Sequence, residues 1–204
     1  MRTLEGVVRP YAWGSRTAIA SMRGKAVPSP HPEAELWFGA HPAGPASCLG
    51  ADGQIDVDLL TAIQADPPGM LGQHTIDRFD GRLPFLMKVL AAEEPLSLQA
   101  HPSADQARDG FERENAAGVP ADAPFRNYKD AHHKPEIIFA LSPEFRALSG
   151  FRTVAETRSV LAPVGDDARI APLIERIGDD SALRDVFEWL ISRGDGVDDL
   201  IAAV

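Results

Sequence analysis

Glycine and proline are concentrated in the first three quarters of the chain, which makes this part rich in turns. Of 17 glycines and 17 prolines, 13 and 15 lie in residues 1–150. Short apolar runs bounded by these residues are typical of the strands of a barrel or a sandwich. We therefore predict short strands over residues 6–8, 36–38, 83–90, 96–100 and 136–141.

The composition limits the kinds of protein that this chain can be. Its 204 residues suit one globular domain, or one and a half, and 30 acidic against 20 basic residues give a net charge of -10. That charge argues against a broad surface for nucleic acid or anionic membrane. A single cysteine, Cys48, excludes an internal disulfide, and no apolar run approaches the ~20 residues of a membrane span. The N-terminal stretch also lacks the apolar core of a signal peptide, so we expect a cytoplasmic location.

Helix signals appear at three places along the chain. Ser103 and Gln106 have the spacing of a capping box and predict a helix over 103–115, and Thr153 with Glu156 predicts another. Apolar residues recur at helical spacing after Ser181. We therefore predict a mainly β fold with α, in which residues 1–150 carry the strands and residues 151–204 form a helical domain. The last apolar pattern has helical spacing and runs from Val197 to Val204, the last residue, without a helix-stop signal. We therefore expect this helical domain to be incomplete.

Polar residues alternate along two of the predicted strands. On a strand, side chains two residues apart share a face, which groups Ser97, Gln99 and His101 in one row and Lys134 with Glu136 in another. If the two rows meet, imidazole nitrogen with carboxylate and amide oxygens suits zinc or another first-row divalent metal. Any solvent-facing strand shows the same spacing, so the residues alone leave both interpretations open.

Seven ordered blocks resemble type I mannose-6-phosphate isomerase, also called phosphomannose isomerase. The resemblance runs from about residue 7 to about residue 152 and is carried by Tyr11-Ala-Trp-Gly-Ser15, Ala34-Glu-Leu-Trp-Phe-Gly-Ala-His-Pro42, Leu83-Pro-Phe-Leu-Met-Lys-Val-Leu90, Leu96-Ser-Leu-Gln-Ala-His-Pro102, Gly110-Phe-Glu-Arg-Glu-Asn115, Arg126-Asn-Tyr-Lys-Asp130 and His133-Lys-Pro-Glu136. It implies a cupin-type jelly-roll β barrel followed by the start of an all-α insert. It also implies a zinc enzyme that interconverts mannose 6-phosphate and fructose 6-phosphate through a cis-enediol.

The same resemblance assigns roles to individual residues. Gln99, His101 and Glu136 fall on the positions of three ligands of one zinc ion. Among the pocket residues, we assign Lys134, His133 and Ser97 to catalysis and Lys88 to substrate binding. Glu35 matches a residue of the same family pattern and is also assigned to substrate binding.

The chain departs from the family pattern in one respect. The fourth zinc ligand of the family is a histidine beyond the helical insert, and no histidine follows His133 here. We therefore expect a truncated chain with reduced activity or none, which exposes apolar surface and needs a further C-terminal segment. Two alternatives stay open: a non-catalytic fragment that binds metal or sugar phosphate, and a metal-dependent cupin oxygenase.

Overall fold

Two small antiparallel sheets organise the first part of the chain in the computed structural model, which describes residues 3–203. Residues 1, 2 and 204 lie outside the described residues, and with them the final position of the C-terminal apolar pattern, Val204. The chain divides into two compact units, Met1–Leu148 and Ser149–Val204. The assignment of these parts as a metal-bearing barrel portion and an incomplete insert stays a prediction.

The first sheet has the strand order β2-β3-β6, formed by β2 (Val7–Arg9), β3 (Glu35–Phe38) and β6 (Met87–Leu90). Leu36 is opposite Val8 on one side and Val89 on the other. These three residues share one face of the sheet, which packs on Ile19 and Ala91 as an apolar core. Because side chains alternate along each strand, the other face carries the charged residues Arg9, Glu35 and Lys88 together with Trp37.

The second sheet has the order β1-β4-β5, from β1 (Thr3–Glu5), β4 (Ser47–Leu49) and β5 (Ile55–Asp58). Cys48 is fully buried there with Leu59 and Ile63. The Asp58 carboxylate accepts a hydrogen bond from the Thr61 N–H and caps the helix that follows. The helices of this unit are α1 (Ala18–Met22), α2 (Leu59–Ala65), α3 (Pro67–Leu71), α4 (Gln73–Phe79) and α5 (Ala104–Ala116).

Two predicted strands are absent from the described chain. Residues 96–100 and 136–141 adopt no regular secondary structure, and of the predicted run 83–90 only Met87–Leu90 pairs. Ile137 is 99% exposed and Phe139 is 84% exposed. A strand needs a neighbour for its N–H and C=O groups, and residues 3–203 provide none to these two segments. The class of sheets plus helices is therefore confirmed. Residues 3–203 form no closed barrel, and the jelly-roll form stays a prediction.

The second unit is helical, as its sequence pattern predicts. Its elements are α6 (Val154–Leu161), α7 (Ala171–Arg176), α8 (Leu183–Ile191) and α9 (Val197–Ile201), with short 3-10 helices at Ala162–Val164 and Asp180–Ala182. Both predicted capping boxes are present, at Ser103 for α5 and at Thr153 for α6. Val154, Ile177 and Val186 form the buried centre of this unit. Within residues 3–203, no helix is long and apolar enough to cross a membrane.

Candidate active site

His101 and Glu136 meet although the sequence separates them widely. The Nε2 atom of His101 is 2.9 Å from Oε2 of Glu136, and Nζ of Lys134 is 3.2 Å from Oε1 of the same carboxylate. Burial raises the pKa of Glu136, but hydrogen bonds from His101 and Lys134 and the charges of both outweigh it and lower that pKa below its ordinary value. Glu136 is therefore a carboxylate at neutral pH with a partner on each oxygen.

The donor atoms of this pair suit zinc. Imidazole nitrogen and carboxylate oxygen both bind zinc at ~2.1 Å, so two ligands of a tetrahedral ion lie about 3.4 Å apart. The observed separation of 2.9 Å is within about half an ångström of that value. Within residues 3–203, no group of three or more His, Cys, Asp and Glu residues converges on one point. A third ligand from this part of the chain would therefore be of another type, such as an amide oxygen.

Gln99 and Ser97 line a cavity of about 250 Å³, which His101 and Glu136 do not line. Apolar side chains, among them Leu96, Ile138 and Leu148, line most of it. In the described chain Gln99 makes no hydrogen bond to His101 or Glu136, because the segment that carries it is not held in a strand. The structure thus brings together two of the three predicted metal ligands. The roles of Gln99 and Ser97 stay predictions.

Lys88 and Glu35 face each other on the charged side of the first sheet. Nζ of Lys88 is 3.6 Å from Oε1 of Glu35, and the Trp37 indole N–H donates to Oε2 of Glu35 at 2.6 Å. Lys88 Nζ lies 5.3 Å and the Arg9 guanidinium carbon 4.7 Å from the centre of the Trp37 ring. Glu35 and Trp37 are both buried. The charged groups of Arg9, Glu35 and Lys88 thus all lie next to the Trp37 indole.

Sequence reasoning assigned no role to His41, which packs against Trp37. The ring centres are 5.1 Å apart, and the Ala43 N–H donates to Nδ1 at 3.0 Å. Burial lowers the pKa of His41; Asp130 raises it, while Arg9, Lys88 and Lys134 lower it further. The charges of Lys88, on the first sheet, and of Lys134, in the segment that carries Glu136, therefore both act on the His41 imidazole. The only sequence signal was its place at the end of the block containing Glu35.

His133 directly precedes Lys134 in the segment that carries Glu136. It is exposed, and in residues 3–203 it makes no hydrogen bond or ion pair. The neighbouring His132 donates its N–H to Asp130 at 2.9 Å, which holds the backbone just before His133. The imidazole of His133 is therefore free to meet a ligand, and its catalytic role stays a prediction.

Arg126 ties the segment that leads to this site onto helix α5. Its guanidinium donates to the carbonyl oxygens of Tyr128 and Val119 and to Oδ1 of Asn115, at 2.6 to 2.7 Å. It also lies 3.6 Å from the carboxylate of Glu114. Burial raises the pKa of Glu114, but hydrogen bonds from the backbone N–H groups of Tyr128 and Asn127 and the charge of Arg126 outweigh it, so this pKa is lowered overall. The sequence blocks 110–115 and 126–130 therefore contact each other here. This contact fixes the position of the chain shortly before residues 133–136.

Comparison with known sequences places these residues among sugar-phosphate isomerases. Residues 1–154 match the family "Phosphomannose isomerase type I, catalytic domain". The mannose-6-phosphate isomerase of Escherichia coli is 45% identical over 193 residues, which covers 94% of this chain and 48% of that protein. The mouse enzyme of the same name is 38% identical over 208 residues, with 92% and 46% covered.

Solved structures give the same picture. Mannose 6-phosphate isomerase from Salmonella typhimurium, bound to its substrate fructose 6-phosphate and zinc, matches with a TM-score of 0.74 and 40% identity. The match covers all of this chain and 51% of that one. The chain thus spans about half the length of the relatives it matches. All of these relatives are isomerases, which does not favour the oxygenase alternative.

Proposed function

Because the chain belongs to the type I phosphomannose isomerase family, we propose that it supplies the zinc-binding part of an enzyme that interconverts mannose 6-phosphate and fructose 6-phosphate. The observation that carries this proposal is the contact between His101 and Glu136, with Lys134 on the second carboxylate oxygen. The S. typhimurium structure with zinc and fructose 6-phosphate supports the choice of metal and substrate.

His101 and Glu136 would hold one zinc ion, and Gln99 would supply an amide oxygen as the third ligand. A bound zinc acts as a Lewis acid that polarises carbonyl and hydroxyl oxygens of a sugar. The carboxylate of Glu136 already has a lowered pKa, so no proton has to leave it before it can serve as a ligand. Lys134 keeps a positive charge beside this carboxylate and orients it.

The reaction moves a proton between two neighbouring carbons of the open-chain sugar through a cis-enediol. An imidazole can both take and return this proton, and that of His133 is exposed and makes no hydrogen bond within residues 3–203. The Lys134 ammonium can donate hydrogen bonds to the sugar oxygens on which charge develops, and the Ser97 hydroxyl can do the same. We assign these roles to His133, Lys134 and Ser97.

Lys88 would bind the phosphoryl group. Its ammonium is a compact charge with three donors, and one ion pair with Glu35 leaves donors for a ligand oxygen. With a net charge of -10, the chain attracts a phosphate only at such local cationic positions.

On its own, the 204-residue chain would show little or no turnover. It spans about half the length of its relatives, and residues 96–100 and 136–141 lack partner strands. The fourth zinc ligand and the segment that covers the pocket would come from a further C-terminal part. Without that part, the chain would act as a fragment that binds zinc and sugar phosphate weakly. A cytoplasmic location belongs to this proposal.

Replacing the matching stretch of the E. coli enzyme by the aligned part of this chain tests the proposed function. We expect the chimera to form fructose 6-phosphate from mannose 6-phosphate in a coupled assay, and the chain alone to do so at a far lower rate. His101→Ala in the chimera should lower turnover by a factor of about 100 or more. His74→Ala, a change at an exposed histidine of α4, is the matched control. A folded chimera without isomerase activity would refute the proposal.

A further inference from the structure

Glu35 is placed to act on Lys88 rather than to meet a ligand itself. In the register of the first sheet, Lys88 is opposite Trp37 and Glu35 is opposite Leu90. Glu35 and Lys88 are therefore diagonal neighbours on one face, within reach of long side chains. The Glu35 side chain is only 10% exposed, and both of its oxygens already have partners inside the protein.

The partners of Glu35 restrict its carboxylate from two sides. The Trp37 N–H donates to Oε2 at 2.6 Å, and the Lys88 ammonium lies 3.6 Å from Oε1. A tryptophan in the core of a sheet has a fixed orientation, so the hydrogen bond fixes the carboxylate as well. The face of the same indole lies 5.3 Å from the Lys88 ammonium, close enough for a cation–π attraction.

Lys88 needs such restraints to act as a binding group. A free lysine side chain samples many rotamers, and a ligand would otherwise have to remove that conformational freedom on binding. Its side chain is 21% exposed, and partial burial disfavours an ammonium without a compensating negative charge. The carboxylate of Glu35 supplies that charge, and the indole limits where the ammonium can lie.

We propose that Glu35 and Trp37 are positioning residues, which hold the Lys88 ammonium in place for the phosphoryl group of the sugar phosphate. The inference rests on the proposed function, because the phosphoryl group belongs to the proposed substrate. It gives Glu35 an indirect part in substrate binding. Arg9 and His41 are also close to this face, where they contact the Trp37 ring, and Tyr11 contacts Arg9 in turn.

A first experiment needs no ligand. The chain has four lysines, so reductive methylation with 13C-formaldehyde gives a simple NMR spectrum in which Lys88→Arg assigns one signal. Glu35→Gln should move the Lys88 signal to the position of exposed lysines. Glu33→Gln is the matched control, because Glu33 pairs with Arg23 at 3.7 Å and its side chain is similarly buried. An unchanged Lys88 signal in Glu35→Gln would overturn the proposal.

A second variant guards against loss of the fold. Trp37→Phe removes the donor to Glu35 while it keeps an aromatic ring beside Lys88. It should shift the same NMR signal in the direction seen for Glu35→Gln. If the urea midpoint of Glu35→Gln is far below that of the wild type, Trp37→Phe becomes the test of the positioning role. An unshifted Lys88 signal in Trp37→Phe again overturns the proposal.

A second experiment measures fructose 6-phosphate binding to the 204-residue chain by NMR titration, with fructose as the ligand that lacks the phosphoryl group. Glu35→Gln should raise the Kd for fructose 6-phosphate about tenfold, equal to 1.4 kcal/mol, and leave fructose unaffected. In a Lys88→Met background the same change should have no further effect. Equal affinity of Glu35→Gln and wild type would refute the positioning role. A wild-type chain that binds no fructose 6-phosphate would instead refute the proposed substrate, while the Lys88 NMR signal still tests the contact.

Discussion

Replacing Arg126 by methionine should be among the most damaging single changes in the first unit. Methionine keeps most of the stem of the side chain but removes the guanidinium. The side chain of Arg126 is 1% exposed, so water cannot replace the lost donors. Three acceptors would lose their partner, namely the carbonyl oxygens of Val119 and Tyr128 and the side chain of Asn115.

The expected loss follows from these contacts. A hydrogen bond from a charged donor contributes about 1.5–3 kcal/mol, and contributions from one side chain are not additive. Loss of the Arg126 charge costs little at Glu114, because that carboxylate is only partly buried and keeps two backbone donors, Asn127 N–H at 3.1 Å and Tyr128 N–H at 2.8 Å. Since three hydrogen bonds from one buried guanidinium are lost, we expect Arg126→Met to lower the free energy of unfolding by about 3–5 kcal/mol.

Urea unfolding followed by circular dichroism measures this change, and amide hydrogen exchange locates it. Protection of the Asn127 and Tyr128 amides should fall first, because they bond to the Glu114 carboxylate that Arg126 holds. Arg108→Met is the control on the same helix, since its exposed ion pair with Asp105 should contribute less than about 1 kcal/mol. An Arg126→Met chain that unfolds within 1 kcal/mol of the wild type would show that this reasoning is wrong.

Three further changes test other parts of the structure. Gly110→Ala should lower the free energy of unfolding by about 1–3 kcal/mol in urea, because the new Cβ would lie 2.5 Å from the Tyr128 ring; an unchanged midpoint would contradict this contact. Hydrogen bonds from Arg169 lower the pKa of Asp167 from 3.8 to about 2, so the stabilisation from this carboxylate is complete above pH 3.8 and lost as the pH falls through 2. Asp167→Asn should remove that part of the acid dependence, and an NMR titration of Asp167 with an ordinary midpoint would argue against it. Lysine at Ile137 and Phe139 should raise the solubility limit of the 204-residue chain several-fold in sedimentation assays, whereas no change would show that this exposed surface does not drive association.

Local signals in the sequence were sufficient to predict the helices that begin with a capping box. The Ser103 hydroxyl accepts from the Gln106 N–H and the Gln106 side chain accepts from the Ser103 N–H, all within four residues. The same reciprocal pair forms between Thr153 and Glu156. Such a cap depends on nothing distant in the chain, so its sequence pattern predicts its structure.

Strands are harder to predict, because each depends on a partner elsewhere. The run 36–38 is a strand since β2 and β6 flank it, and the similar run 136–141 has no neighbour in residues 3–203. Apolar alternation indicates which face a strand would bury. It does not show whether another strand is present to complete the hydrogen bonds.

The candidate site was predicted only in part for the same reason. The family resemblance assigned His101 and Glu136 to one metal site, and the structure brings them within 2.9 Å of each other. The pairing of Glu35 with Lys88 depends on the register between β3 and β6, which no local pattern specifies. His41 lies in a loop, where the alternation of a strand assigns no face, and its contact with Trp37 emerged only in three dimensions.

Zinc binding by the 204-residue chain is the most direct test of the account, since the proposed function depends on the pairing of His101 with Glu136. A competition titration against a chromophoric chelator gives both the stoichiometry and the affinity. We predict one zinc ion per wild-type chain, about 100-fold weaker binding for His101→Ala, and wild-type binding for the control His74→Ala. Equal zinc affinity in the wild type and in His101→Ala would contradict the assignment of this site.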